Sequence, residues 1–533
     1  MAERYDAVII GGGHNGLTCG AYLARAGLRA LILERRDVIG GAAVTEEVVP
    51  GFKFSVFSYL MSLLHPKVIA DLELRRHGFE VLPASDMFAP LPGNDHIVFS
   101  DDIARTQASF ARFSRKDAAI YPEFDRYLMD SARIVRKILL ETPPDVSCRT
   151  WRAFRQTAGF LWKYRRVGGK LFRLIDLLTM SADDYLSEWF ESSHVKAVLA
   201  YYSGIGTFAG PRTPGSAYVI MHHVMGEHAG AGGWGFVRGG MGTITQAIAR
   251  SGRETGLEIR TEAEVIGIDT ANGRATGVSL ADGTKIMAPV VASNVSAKLT
   301  FLKFLPEAAL PADFVRDIRS YRTFSTAFKI NIACERLPQY SSFDAAACGF
   351  AYPTYAHIGP TIEYLERAYD DAKWGDISRE PFVTPVTPSY VDDTIAPPGK
   401  HVVHLFGGHA PHTLAHGDWS SRKPELVQRV LGVLDRCAPG FSDGIIEMQV
   451  LTPPDIEARI GSPHGHIFHG ELNADQLFFA RPAPHWADYR SPIKGLYQCG
   501  SSAHPGGGVG GVPGHNAARE ILRDLGRRAK PSR

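Results

Sequence analysis

Three glycines near the start of the chain have the spacing of a phosphate-binding turn. Gly11, Gly13 and Gly16 follow the pattern G-x-G-x-x-G, and an acid, Glu34, follows about 20 residues later. Gly11 permits the tight turn, Gly13 lets a pyrophosphate approach the backbone, and Gly16 lets a helix pack closely on a strand. Glu34 is able to accept hydrogen bonds from ribose hydroxyls. The spacing predicts a dinucleotide site, and an ordinary glycine turn before a helix is the alternative.

The residues around these glycines predict the elements that such a site needs. Ala7–Ile10 is an apolar, β-branched run, typical of a buried parallel strand. A helical stretch follows, Gly27 is its expected end, and a second strand, Ala30–Leu33, ends beside Glu34. The free N–H groups and the positive dipole end of the helix would face the phosphate charge. One βαβ unit in about 30 residues is therefore expected.

Two further glycine-rich segments could pass close to a ligand. The pair Gly40-Gly41 precedes an extended segment. Near the C-terminus, a predicted strand, 496–499, enters a loop with six glycines, and a helix is expected from about His515. Such glycine density lets the main chain lie against a planar ligand and direct N–H groups at it. A plain turn and a flexible surface loop are the alternatives.

One titratable residue stands beside the late glycine loop. His504 is the candidate catalytic residue, because a polar group near a bound ring could orient a substrate or take a proton. A loop histidine that binds backbone carbonyls is an equally good interpretation. No Ser/His/Asp or Cys/His spacing favours nucleophilic catalysis.

Composition excludes several classes of protein. A length of 533 residues predicts two or three domains, and 45% hydrophobic with 21% charged residues is typical of a globular protein. A net charge of +2 does not favour a nucleic-acid partner. Six scattered cysteines without a C-x-x-C pair predict reduced cytoplasmic thiols. Only residues 1–6 precede the first predicted strand, so no targeting peptide is expected.

Two clusters of side chains have more than one interpretation. Residues 149–175 carry eight Lys or Arg, no acid and six aromatic residues. Such a segment could lie among lipid headgroups, or pack on a core with its cations reaching solvent. Five histidines between 401 and 416 match no metal-ligand spacing, and no metal is expected there. The sequence therefore predicts a cytoplasmic protein, and leaves membrane-surface contact open.

Four motifs together resemble a known family. They are VIIGGGHNGL with Glu34, VIGGAAVTEE, FVRGGMGTITQAI and CGSSAHPGGGVGGVPGHNAA. Over essentially its whole length the chain resembles the FAD-dependent oxidoreductases of the phytoene-desaturase and carotenoid-isomerase group. The segment VIGGAAVTEEVVPGFKF is similar to the branch called pyridine nucleotide-disulphide oxidoreductase domain-containing protein 2, although the dithiol pair of that name is absent.

The resemblance implies the fold class and the domains. The class is α/β: a Rossmann-type FAD-binding domain, discontinuous in sequence, with an α+β substrate domain as in amine oxidases and phytoene desaturases. The implied FAD-binding pieces are 1–80, 235–300 and 485–533. The substrate domain would comprise 81–234 and 301–484, with a helical part able to dock on membranes.

The resemblance also assigns cofactor-binding residues by position. It implies that the FAD pyrophosphate is held by Gly11, Gly13 and Gly16, and that the adenosine ribose is bound by Glu34. Gly41 and Ala42 would pass the flavin side of the pyrophosphate, and Val265 would meet the adenine through its backbone. The ribityl chain and the flavin ring would be lined by Gly500, Ser501, Gly511 and Val512. No metal ligand is implied.

Three departures from the family argue against a carotenoid substrate. Many relatives carry Arg where this chain has Ala42, an acid near Phe54-Ser55, and Pro where this chain has Gly510. The flavin itself does not depend on these positions. Ala42 and the missing acid mildly favour a flavoprotein fold that has lost turnover.

The expected reaction is dehydrogenation or desaturation of an apolar small molecule, with hydride passing to the flavin and oxygen or a quinone as the electron acceptor. Three alternatives stay open. The first is redox-neutral isomerisation or saturation of a polyene on reduced flavin, the second is a non-catalytic binding or regulatory protein, and the third is amine oxidation. The substrate and the oligomeric state do not follow from the sequence.

Overall fold

The computed structural model describes residues 3–168, 170–226 and 234–527. Its strands are β1 (Glu3–Arg4), β2 (Ala7–Ile10), β3 (Ala30–Leu33), β4 (Thr45–Val49), β5 (Phe52–Ser55), β6 (Val81–Pro83), β7 (Met87–Leu91), β8 (Asp95–Phe99), β9 (Gly235–Val237), β10 (Glu258–Arg260), β11 (Val265–Ala271), β12 (Arg274–Leu280), β13 (Lys285–Met287), β14 (Val290–Ser293), β15 (Phe328–Cys334), β16 (Phe382–Val386), β17 (His401–Gly408), β18 (Ile445–Leu451) and β19 (Leu496–Gln498).

Its helices are α1 (His14–Arg25), α2 (Pro66–Asp71), α3 (Ile103–Phe110), α4 (Arg115–Leu139), α5 (Trp151–Tyr164), α6 (Lys170–Thr179), α7 (Ala182–Ser187), α8 (Ser193–Ala200), α9 (Ala217–Val224), α10 (Gly242–Glu254), α11 (Ala297–Leu302), α12 (Ala312–Ser320), α13 (Ala345–Cys348), α14 (Ile362–Lys373), α15 (Trp419–Cys437), α16 (Pro453–Ile460) and α17 (Val512–Asp524). Among the described residues, no helix is long and apolar enough to cross a membrane.

A five-stranded parallel sheet holds the first glycine turn. Its order is β10-β3-β2-β14-β19, so strands from three distant parts of the chain pair side by side. Val291 of β14 pairs with Val8 of β2 on one side and with Leu496 of β19 on the other. The predicted βαβ unit is confirmed, with both strands at the predicted residues. The discontinuous Rossmann-type sheet is confirmed with it.

The two faces of this sheet are covered differently. Ala7, Ile9 and Ile32 point to one face, where α1, α10 and α17 pack. Val8 and Leu31 point to the other, which carries the mixed sheet β1-β13-β12-β11, antiparallel except for the parallel pair β1-β13. Because both faces are buried, the strands are apolar throughout rather than alternating. The layers leave the ends of the strands, where the glycine turns lie, free for a ligand.

A second large sheet stands opposite the glycine turns. It is antiparallel, in the order β16-β17-β15-β18, and all seven residues of β15 are buried. Helix α15 packs on one face of this sheet and the hairpin β4-β5 on the other. Helices α4, α6, α8 and α9 contribute to a separate helical core beside it. The domain boundaries given above stay a prediction.

Candidate functional site

A large cavity extends from the parallel sheet to the antiparallel one. It encloses about 2070 Å³ of space between atoms, part of it open to solvent. Because its lining residues come from both sheets, a ligand at the glycine turns and a second ligand beside the aromatic side chains would lie in one continuous space. Glycine turns line one end, and aromatic side chains line the other.

Two glycine turns meet at the phosphate end of the cavity. Gly11, Gly13 and Gly41 all line it, and Gly40 forms a backbone bridge with Gly13. A Cβ added to Gly41 would lie 3.1 Å from the Cα of Gly13, and one added to Gly13 would lie 2.8 Å from Nδ2 of Asn294. Helix α1 begins directly after Gly13 without a side-chain cap, so its first N–H groups are open to an anion. Side chains here would fill the space that a phosphate needs.

Gly16 and Ala42 have different positions in this turn. A Cβ on Gly16 would lie 2.2 Å from the carbonyl oxygen of Gly11, so Gly16 lets the helix pack against the turn rather than lining the cavity. Ala42 does line the cavity, beside Gly41.

Glu34 and Val265 lie at the adenosine end. Oε2 of Glu34 accepts a hydrogen bond from the Gly12 N–H at 2.8 Å, and Oε1 accepts one from the Arg36 N–H at 3.0 Å. A carboxylate has further lone pairs, so Glu34 retains capacity for hydroxyl donors from the cavity. Val265, at the start of β11, lines the same part of the cavity together with Glu264. The structure therefore brings these two predicted residues together with the first glycine turn.

The late glycine loop contributes fewer residues to the wall than expected. Ser501 lines the cavity and accepts a hydrogen bond from Nδ2 of Asn15 on α1 at 3.2 Å. Gly508 also lines it. Gly500 instead packs on the backbone, since an added Cβ would lie 2.2 Å from the carbonyl oxygen of Asn294.

The Gly511-Val512 turn also lies behind the wall. Gly511 is the left-handed N-cap of α17, and Val512 is the first helical residue. Both are absent from the lining of the cavity as described. The helix starts earlier than His515 because Pro513 fits the first turn.

His504 is not brought to the cavity. Its ring is buried behind the late glycine loop, Nε2 faces the carbonyl oxygen of Ile138 at 3.2 Å, and Phe478 packs edge-on at 5.1 Å. Burial lowers the pKa of His504 to about 4, so the ring is neutral and donates to that carbonyl. This geometry matches the alternative interpretation of His504, a loop histidine that binds a backbone carbonyl.

Aromatic side chains from separate elements form the other end of the cavity. Tyr202, Trp234 and His223 are nearly parallel: the rings of Tyr202 and Trp234 are 6.2 Å apart at 9°, and those of Tyr202 and His223 are 5.2 Å apart at 24°. Tyr355 contacts the hydroxyl of Tyr202 at 3.3 Å. Burial lowers the pKa of His223 to about 4, so this end carries no charged imidazole. No spacing pattern in the sequence predicts this group, because its members are far apart along the chain.

Lys329 is a buried amine in the wall between the two ends. It lies on β15, and Nζ donates to the carbonyl oxygens of Ser55 at 2.8 Å and Phe57 at 3.0 Å. Nζ also lies 4.8 Å from the ring centre of Tyr59. Burial lowers the pKa of Lys329 well below its ordinary value. A lysine inside the apolar run AFKINIA was a usable sequence signal for this position.

Some buried polar atoms of the cavity wall lack a partner among the described residues. They are Nη1 of Arg36, Nη1 of Arg459 and Nδ1 of His469. Unpartnered buried polar groups are costly, and a bound ligand is one way of satisfying them. With the phosphate-sized gap at Gly13 and the acceptor at Glu34, the described residues fit FAD.

The histidines between 401 and 416 do not converge. Nδ1 of His404 pairs with Oδ1 of Asn331 at 2.8 Å, His409 pairs with Thr326, and His412 pairs with Glu457. In the chain as described, no group of three or more metal-ligating side chains is close enough to hold an ion.

Comparison with known proteins gives matches that cover nearly the whole chain. The profile of the family described as flavin containing amine oxidoreductase matches residues 16–522. The chain is 41% identical to the Mus musculus protein called pyridine nucleotide-disulfide oxidoreductase domain-containing protein 2, covering 98% of this chain and 94% of that protein. It is 24% identical to a phytoene desaturase (lycopene-forming) of Pantoea ananas, covering 97% of this chain and 99% of that one.

A solved structure supports the fold. Wild-type putrescine oxidase bound to putrescine superposes with a TM-score of 0.63 at 13% identity, covering 98% of this chain and 99% of that chain. At this identity the match concerns the architecture alone. The resemblance inferred from the four motifs is confirmed.

Proposed function

Because the chain belongs to the flavin-containing amine oxidoreductase family and is an FAD-dependent oxidoreductase, we propose that it dehydrogenates or desaturates an apolar small molecule. The relative from Pantoea ananas is named a desaturase, which supports a reaction of this class at carbon. Oxygen or a quinone is the electron acceptor that we propose.

The charge of the cavity wall carries this proposal. Among the described lining residues, the carboxylates are Glu34 and Glu264, both at the adenosine end. The aromatic end has no acid to bind an amine cation, and burial keeps His223 neutral there. Desolvating a cation without a counter-charge costs several kcal/mol. A neutral, apolar substrate therefore fits this end better than an amine.

We propose roles for the residues of the nucleotide end. Gly11, Gly13 and Gly41 would hold the pyrophosphate through backbone N–H groups, and Glu34 would bind the ribose. The further residues that we propose to contact FAD, directly or by shaping its turns, are Gly16, Ala42, Val265, Gly500, Ser501, Gly511 and Val512.

Bound FAD supplies the hydride-accepting chemistry. The chain's own part is to position the substrate, exclude water and take up a proton. Dehydrogenation removes a hydride from one carbon and a proton from its neighbour. Lys329 is our candidate for the proton acceptor, since burial favours its neutral amine and the residue lines the cavity. We propose that His504 holds the late glycine loop in position through its bond to the Ile138 carbonyl, and that it does not transfer a proton.

Anaerobic reduction of the bound FAD tests the proposal. Purified holoprotein is mixed without oxygen with apolar alkenes and terpenes or with primary amines, and the visible flavin absorbance is followed. The proposal expects bleaching by an apolar compound, recovery on adding air or a quinone, and a dehydrogenated product. Bleaching by amines alone would overturn it in favour of amine oxidation.

The remaining alternatives give other outcomes in the same experiment. An isomerase or saturase would convert a polyene only after the flavin has been reduced chemically, with no net bleaching by the substrate. A binding or regulatory protein would hold FAD, or fail to hold it, and convert none of these compounds. Either outcome would overturn the proposed dehydrogenation.

We further propose that α5 docks on an anionic membrane surface. Its outward stripe of large apolar side chains is strongly exposed: Trp151 by 71%, Phe154 by 48%, Leu161 by 63% and Trp162 by 68%. The opposite side of the helix packs on the protein, where Phe160 contacts Phe478 at 5.6 Å. A helix with apolar residues on its solvent side, among cations and no acids, matches the amphipathic chemistry of a lipid interface.

Vesicle sedimentation tests this docking. The holoprotein is mixed with phosphatidylcholine vesicles that contain or lack about 30% phosphatidylglycerol. Binding is expected to the anionic vesicles, to weaken with salt, and to be lost in L161S/W162S. Trp374, 77% exposed beside Lys373 at the end of another helix, gives the control W374S, which should bind normally. Failure of the wild type to bind anionic vesicles would overturn the docking.

A further inference from the structure

Among the residues that the structure describes, one arginine, Arg481, is fully buried behind the cavity wall. Arg481 has no exposed surface, and its guanidinium donates to five backbone carbonyl oxygens. The shortest of these bonds run from Nη2 to Ser501 at 2.8 Å and to Phe468 at 2.9 Å. The others reach Gly470, Glu471 and Gln476 at 3.1–3.2 Å. All five N–H donors of the side chain are therefore used on neutral acceptors.

No carboxylate pairs with this cation among the residues that the structure describes. The nearby acid Glu471 turns its carboxylate to Arg322, whose Nε lies 3.2 Å away. A guanidinium keeps its proton in proteins even where burial lowers its pKa, as here. A buried charge without a counter-ion is expensive, and carbonyl dipoles offset only part of that cost.

The side chains around Arg481 add no negative charge. Four buried histidines, whose pKa values burial and this cation both lower, are neutral: His222, His466, His469 and His504. Tyr218 and Tyr321 also face it, and burial raises the pKa of each to about 12, so both keep their protons. The protein thus leaves one positive charge uncompensated in this region.

The cation is one residue away from the cavity. Phe468 and Ser501, whose carbonyls it holds, both line the cavity, as does His469 between two of the anchored carbonyls. Its field therefore reaches a ligand through a low-dielectric wall, where charge interactions are stronger than in water. The compensating anion is expected to be a ligand that becomes negative.

We propose that Arg481 sets the reduction potential of the bound flavin by stabilising the negative charge that the flavin gains on reduction. A bound flavin that accepted a hydride from a substrate carbon would gain two electrons and one proton, and so one negative charge, while the second proton would go to a base. One negative charge appears in the cavity at that step. This inference rests on FAD binding, and it holds for any substrate of the proposed reaction.

Sulfite titration and potentiometry of the holoprotein test the role of Arg481. Sulfite adds to oxidised flavin and leaves a negative charge on the ring, so its affinity reports the same stabilisation. In R481M we expect the sulfite dissociation constant to rise about tenfold, with a fall in the two-electron potential of about 30 mV, which is the equivalent energy. R481K keeps the charge and should stay near the wild type.

Two controls separate charge from structure. Arg322 contacts the same segment but is paired with Glu471 and Asp475, so R322M should leave both values unchanged. If R481M does not fold, the wild type remains decisive: its bound FAD should have a higher potential than free FAD and should bind sulfite. A wild-type potential below that of free FAD, or equal sulfite affinity in R481K and R481M, would overturn the inference.

The experiment also distinguishes this inference from the proposed function. A protein that binds sulfite tightly but is not reduced by apolar compounds would retain the role of Arg481 and lose the proposed substrate class. If an apolar compound reduces the protein but R481M leaves the sulfite affinity and the potential unchanged, the proposed substrate class is retained and the role of Arg481 is lost.

Discussion

At the scale of single residues, Gly13 lies where the two glycine turns meet and has little room for a side chain. A Cβ there would lie 2.8 Å from Nδ2 of Asn294 and 3.9 Å from the Cα of Gly41. We expect Gly13→Val to fill the gap between the two turns and to weaken FAD binding about tenfold or more, which is about 1.4 kcal/mol. Titration of the apoprotein with FAD, followed by flavin fluorescence, measures this.

A glycine in open space provides the control. Gly432 lies within α15 and has no neighbouring atom within 4 Å of an added Cβ. Gly432→Ala should leave FAD affinity unchanged and stabilise the helix by up to about 1 kcal/mol. Equal FAD affinity in Gly13→Val and the wild type would refute the phosphate site at this turn.

Lys329 gives a second test at this scale. The amine is buried, and burial lowers its pKa, which favours the neutral form that a general base requires. We expect Lys329→Met to lower the rate of flavin reduction by substrate about 100-fold or more, the usual effect of removing a general base. Lys329→Arg, which cannot lose its proton, should be equally slow, whereas the exposed Lys53→Met should not differ from the wild type. Stopped-flow reduction under anaerobic conditions separates these variants.

Residue types predicted part of the site and missed the rest. The glycine spacing and Glu34 identified the nucleotide end because their roles follow from local backbone geometry. His504 was chosen for its place beside a glycine loop, yet its ring faces the Ile138 carbonyl. The orientation of a loop histidine depends on the residues that pack against it from another part of the chain, which here is the end of α4. The local sequence pattern carries no information about that packing.

At the scale of elements, helix α17 is held by a buried acid. Glu520 has no exposed surface; its carboxylate accepts from Arg490 at 3.0 Å, Arg523 at 2.8 Å and the Thr142 hydroxyl at 2.6 Å. These contacts lower the pKa of Glu520, although burial alone would raise it. The acid thus joins α17 to the segment after α4.

Removing the charge of Glu520 should leave its cations unpaired. We expect Glu520→Gln to lower the free energy of unfolding by about 3 kcal/mol, as for other broken buried pairs. Glu447, exposed on β18, gives the control Glu447→Gln with no expected change. Urea unfolding followed by circular dichroism compares the two. A loss no larger than that of the control would show that α17 does not depend on this charge.

Element boundaries were predicted well where one local signal dominated. The strands beside the first glycine turn were predicted at the observed residues because each is short, apolar and bounded by glycine or charge. Helix α15 begins at Trp419, before Pro424, because the carboxylate of Asp418 caps its first turn by accepting from the Ser421 N–H. Strand β7 includes Pro90, although the local sequence pattern of a proline-containing stretch predicts a loop.

At the scale of the whole molecule, the gathering of distant segments could not be predicted. The aromatic end of the cavity takes Tyr59, Tyr202, Trp234 and Tyr355 from four separate stretches of the chain. The sequence around each of these residues has no distinctive pattern, and they come together only when the second sheet packs. The sequence predicted a second ligand region through the family resemblance, without its residues.

Buried histidines make the stability of the whole molecule dependent on pH. Burial lowers the pKa values of His14, His223, His469 and His504 to about 4 each, from an ordinary value of about 6.5. Above pH 6.5 these rings are neutral in both the folded and the unfolded chain. Between pH 6.5 and 4 the unfolded chain binds protons that the folded one does not, so folding stability falls as pH falls.

Each such histidine contributes a loss of about 1.4 kcal/mol per pH unit in this window. We therefore expect the melting temperature to be flat from pH 8 to 7 and to fall steeply below about pH 6. His469→Asn tests one contribution, because asparagine tolerates the positive φ of 56° at this position and removes the titrating group. Its melting temperature should depend less steeply on pH, whereas the exposed His416→Asn should follow the wild type. A wild-type melting temperature that stays constant down to pH 4.5 would mean that the buried rings are protonated in the folded chain, contrary to their burial.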